Sequence, residues 1–115
     1  MDSPLSMEEI QLIESTGLPA IDRHHLRLLA HSLACFKLMA EGLSYGPLPK
    51  DEECLSWLSS QPAFTNEKDF IIVFFKQLKS AGKQLEVLAD ECRISPLELT
   101  LELLIRTTLG KKEIN

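Results

Sequence analysis

Apolar residues at Leu26, Leu29, Leu33, Phe36 and Ala40 recur at alternating spacings of three and four, the stripe of a helix that buries one face. A second row, Leu28, Cys35 and Met39, widens that stripe. The helix these rows predict, near residues 20–41, is expected to be covered on more than one side and to form the centre of the fold. Asp22 is its expected N-cap and Gly42 its stop. Before it, Ser6 with Glu9 three residues on makes a capping box, and a short helix near 6–16 ends at Gly17. Residues 43–50, LSYGPLPK, read as a loop, and Cys54, Leu55, Trp57 and Leu58 mark a helix near 51–59.

The run Phe70 to Phe75 is aromatic and β-branched, which suits a strand. Helical spacing continues through KQLKSAG, however, and no partner strand exists elsewhere. A helix near 66–81 is therefore expected, capped by Thr65 or Asn66 and stopped by Gly82. A further helix near 83–92 leads to the best-marked corner of the chain. There Ser95 suits an N-cap, Pro96 suits the first helical position and Glu98 completes a capping box, which predicts a last helix near 96–109 before Gly110. LELTLEL alternates with period two inside that helix, the signature of a strand, yet leucine and glutamate are helix formers and the start is capped as a helix. On a helix, Leu97, Leu101, Leu104, Ile105 and Leu109 share one face, while Leu99 and Leu103 project from nearly the opposite side. That second pair is either buried by another helix of the chain or forms a contact for a protein partner or a second copy, as in a homodimer.

The expected architecture is all-α: a single compact bundle of five to six short helices over residues 1–115, ending in a helix-turn-helix-like hairpin. A chain of this length buries roughly two thirds of its unfolded surface, enough for a core without staples. An apolar share of 44% and a charged share of 25% are those of a folded globular protein rather than a disordered or fibrous one. Cys35, Cys54 and Cys92 include no close pair, so no disulfide framework is expected. MDSPLSMEEIQ lacks the basic start and apolar core of a signal peptide, and no apolar run is long enough to span a bilayer. These features point to the cytoplasm and away from a membrane.

The net charge of −5 is carried by residues 1–65, because residues 66–115 hold eight acidic and eight basic side chains. The first half therefore repels nucleic acid and anionic membranes, and contact with either is confined to local patches. One such patch is the corner itself. Leu85 to Arg106 resembles the helix-turn-helix of DNA-binding proteins: Ala89 falls at the small position of the first helix, Ile94 and Ser95 fit the turn, and Leu99 fits the inward position of the second. Arg93 stands where that motif has glycine. Glu98 and Glu102 occupy the reading helix, and its one base, Arg106, lies far from the end that enters the groove. Lys76, Lys79 and Lys83 add a basic stripe beside the corner, but no aromatic residues alternate with them.

His24, His31 and Cys35 fall on one side of the central helix, and His31 and Cys35 are one turn apart, within reach of one metal ion. No paired motif supplies the remaining ligands, so these are weak candidates and no cofactor is expected. A glycine-rich phosphate loop, a nucleophile elbow and HExxH are all missing from the sequence. His31 and Cys35 lack an orienting third group, which argues against an enzyme. No small-molecule ligand is indicated. The expectation is a small cytosolic protein-interaction or regulatory module acting through a helix face at Leu99 and Leu103. Its alternative is a DNA-associated regulator using residues 85–106, with Lys76, Lys79, Lys83, Ser95 and Arg106 as the contact residues.

Overall fold

Helix α1, Met7–Glu14, opens on the capping box the sequence encodes: the Glu9 N–H donates to Ser6 Oγ at 3.1 Å and the Ser6 N–H to Glu9 Oε1 at 3.0 Å. The computed structural model describes residues 5–64 and 67–114, and every regular element among them is helical. Helix α2 spans Ala20–Met39, α3 Asp51–Ser60, α4 Lys68–Cys92 and α5 Leu101–Ile114. Single 3-10 turns at Pro62–Phe64 and Pro96–Glu98 precede α4 and α5. The expected bundle of five to six helices is thus realised as five.

Helix α2 packs against all four others. Its buried stripe is Leu26, Leu29, Leu33 and Phe36, with Ala30 and Cys35 widening it. Asp22 does not cap it. Pro19 takes the N-cap position, since its fixed φ suits the entry to a helix, and Asp22 sits in the first turn, where a carboxylate complements the exposed N–H groups. Arg23 and Arg27 reach Glu14 at 2.8 and 3.6 Å and tie α1 to α2 over the fully buried Ile13.

The expected break at Gly82 does not occur. Helix α4 runs through it for 25 residues, and the two helices foreseen near 66–81 and 83–92 are one. Gly82 is buried, and a Cβ placed on it would meet Phe36 Cζ at 3.3 Å and Leu48 Cδ1 at 3.4 Å. The glycine serves close approach, not termination: its missing side chain lets the Phe36 ring of α2 lie on the α4 backbone. The expected caps at Thr65 and Asn66 lie outside the described residues.

Helix α4 ends at Cys92 in a Schellman arrangement. Ile94 N–H donates to Ala89 O at 3.0 Å and Arg93 N–H to Asp90 O at 3.1 Å, with Arg93 left-handed at φ 58°. The chain adopts the glycine conformation of the motif with an arginine. Helix α5 then departs from expectation at both ends. The turn at Pro96 is only one turn of 3-10, Leu99 is extended with ψ 146°, and α5 begins at Leu101. Thr100 restarts the helix, its Oγ1 accepting from the Leu103 N–H at 3.2 Å. The helix also passes through Gly110 to Ile114 rather than stopping at Leu109. Period two between Leu97 and Thr100 therefore recorded a real interruption: Leu97 and Leu99 are buried while Glu98 and Thr100 are exposed.

Two substitutions probe these points. Gly82→Val is expected to cost about 1–3 kcal/mol by overpacking the α2–α4 contact, read as a lower urea midpoint with unchanged m-value. Arg93→Gly is expected to raise stability by up to about 1 kcal/mol, because glycine removes the left-handed penalty while losing more chain entropy. A thermal melt that falls on Arg93→Gly would contradict that account.

Candidate functional site

The residues proposed from sequence do not form one site. Leu99 is fully buried and belongs to the core, which takes it off any contact surface, and Leu103 is half-buried against the same core. The outward row that Leu99 and Leu103 were expected to share does not exist, because Leu99 lies in the extended link before α5 and not on the helix. Its backbone carries a further constraint. The Lys37 ammonium on α2 donates to the Leu99 carbonyl at 2.6 Å, satisfying an acceptor that the broken helix leaves without an intrahelical partner. Partial burial lowers the Lys37 pKa, and nearby Glu9 pushes it back up.

Ser95 is a structural clasp. Its N–H and hydroxyl donate to Glu98 Oε2 at 2.7 and 2.8 Å, holding the Glu98 carboxyl below its ordinary pKa. The Ser95 hydroxyl also accepts from Gly46 N–H at 2.8 Å, and Gly46 O accepts from Leu97 N–H at 3.1 Å. These bonds fasten the 43–50 loop across the corner, so Ser95 faces the chain's own backbone. Lys76, Lys79 and Lys83 are exposed, but Lys79 pairs with Asp51 at 3.1 Å and the three do not act as one stripe. Arg106 is exposed on α5, separated from the lysines by the helix break.

His31 and Cys35 are brought together, with Nδ1 to Sγ at 3.9 Å, while His24 is exposed and apart from them. Burial pushes the Cys35 thiol up to about 11 and lowers the His31 pKa, so the pair rests as neutral imidazole and protonated thiol. The protonated thiol is the unreactive form, since a nucleophile and a metal ligand both use the thiolate. The His31 ring instead meets Phe74 edge-on at 6.1 Å. Among the described residues no three His, Cys, Asp or Glu side chains converge as a metal would need.

What the fold leaves open is a groove. Along the α2–α4 seam the short side chains of Ser32, Ser80 and Ala81 leave a cavity of about 110 Å³ beside Leu28 and Phe74. His25, Leu29 and Gln84 line both this cavity and a neighbouring, wider space of about 450 Å³ bounded by Val87 and Leu88 of α4 and by Thr107, Thr108 and Lys111 of α5. Leu28 and Val87 stand on its walls 39% and 56% exposed. Sequence reasoning missed this groove. A third cavity of about 270 Å³ lies against Phe36, Leu48 and Gly82, with the Lys79–Asp51 pair on its rim.

Fold and surface together define a small helical protein with an apolar groove between its helices. The chain belongs to the family of NDH complex assembly factor CRR9, whose profile it matches over residues 5–115. No curated protein and no solved structure matches it. Membership of this family corrects the functional expectation: an assembly factor of the NDH complex replaces both the cytosolic regulatory module of undetermined pathway and the DNA-associated regulator. Among the described residues no helix is long and apolar enough to cross a membrane.

The burial of Leu99 has a measurable consequence. Leu99→Ala is expected to destabilise the chain by about 2–5 kcal/mol through the cavity it leaves, whereas Leu103→Ala, at a half-buried site, is expected to cost less. Denaturant unfolding of the two variants checks the order, and equal losses would place both leucines in the same environment.

Proposed function

We propose that this chain serves NDH complex assembly by holding a protein component of that complex, without turning over a substrate. The observation that carries the reading is the family match across residues 5–115. The surface chemistry fits the role. An open apolar groove suits a polypeptide segment, and burial holds the Cys35 thiol protonated, the form less suited to covalent or metal chemistry.

The experiment is removal of the chain from cells that contain the NDH complex. Accumulation of the assembled complex is expected to fall while the messages for its components persist, and a tagged full-length chain is expected to co-isolate those components. Normal accumulation of the complex in its absence would end the reading.

A further inference from the structure

We infer that the groove between α2, α4 and α5 receives an amphipathic helix of the assembly partner, with carboxylate side chains on the end that meets Lys83 and Lys111. The inference rests on the assembly reading and adds to it a location and a partner chemistry. Shape gives the first argument. From Phe74 to Leu88 the α4 wall rises about 21 Å, roughly four turns of a seated helix, and the two cavities lie side by side along it, with His25, Leu29 and Gln84 lining both. A groove this long with an apolar floor suits the recurrent helix-in-groove mode, in which side chains one turn apart anchor in sequence. Leu28 and Val87 remain substantially exposed on its walls, and a leucine-bearing helix face would remove both from water.

Charge selects the occupant. The chain is acidic overall, at −5, yet the wider end of the groove carries Lys83 and Lys111 with His25 beside them. Among the described residues neither lysine is held by an ion pair, in contrast to Lys79, which Asp51 holds. Among the described residues Asp22 is the one carboxylate on this rim, and it already has an interaction within the chain. The hydroxyls of Thr107 and Thr108 are also spent, both donating to the Leu104 carbonyl. Two uncommitted cations at the mouth of an apolar groove match acidic residues on an otherwise apolar helix face, and they disfavour a basic one.

The test uses the full chain in cells that contain the NDH complex. Val87 is replaced by the photo-crosslinker benzoylphenylalanine, with Glu53 on α3 replaced likewise as a control position. Crosslinks from position 87 are expected to fall on a helical segment of an NDH complex protein that contains Asp or Glu. Lys83→Glu with Lys111→Glu is expected to reduce that capture roughly tenfold, while Lys83→Arg with Lys111→Arg retains it and circular dichroism shows unchanged helicity in both. If NDH complex proteins co-isolate but crosslink only from position 53, or if capture at 87 ignores the charge reversal, the groove inference falls and the assembly reading stands. A crosslink from 87 to a second copy of this chain also overturns the stated occupant. If no NDH complex protein co-isolates with the unaltered chain, the inference falls together with the reading beneath it.

Discussion

The contact between the Phe36 ring and the backbone at Gly82 sets the distance between α2 and α4, and the rest of the structure is arranged around that distance. Helix α2 touches every other helix, so moving α4 outward would loosen α3, which packs on both, and the 43–50 loop, whose Leu48 lies on the same glycine. A glycine inside a helix costs roughly 1 kcal/mol relative to alanine. The cost is offset here by close packing of Phe36, Leu78 and Leu85, each almost fully removed from water. The groove is the other side of the same geometry. Where the seam is lined by Ser32, Ser80 and Ala81, close approach of the helix axes still leaves unfilled space.

A second constraint lies at the corner between α4 and α5. Three devices hold it: the Schellman bonds at Ala89 and Asp90, the Ser95–Gly46 clasp, and the Lys37 ammonium on the Leu99 carbonyl. Each satisfies backbone groups that a helix end or a broken helix leaves open. The same arrangement turns Leu97 and Leu99 inward and aims α5 across α2. Of the residues that suggested a nucleic-acid surface in the sequence, Ser95 thus acts on the chain's own backbone.

Much of the fold was legible because it is local. The α1 capping box, the α2 stripe and the position of α3 follow from spacing within a turn or two. What misled was residue identity read without tertiary context. Gly82 carries the mark of a helix end, but its role is set by an aromatic ring on another helix. LELTLEL carries both helical composition and strand-like alternation, and composition won the reading where alternation described residues 97–100. Arg93 in a left-handed conformation is visible only once Ile94 is seen to bond back to Ala89. The groove was not legible at all, since it is made of small and apolar residues from three helices with no motif in common, and function came from family membership rather than from any spacing.

The way α5 is attached has a consequence for the order in which the molecule comes apart. Among its helix neighbours α5 rests chiefly on α2, and the bonds that secure its approach, Lys37 to Leu99 and Gly46 to Ser95, span 62 and 49 residues of sequence. Contacts of that span close large loops and form only after α2 and the 43–50 loop are in place. Helix α5 is therefore secured at its start by long-span bonds rather than local ones, and it can open while the Phe36–Gly82 contact between α2 and α4 stays closed. Its amides would exchange with solvent sooner than those of α4, and the groove wall it supplies would be the one wall able to yield as a guest enters.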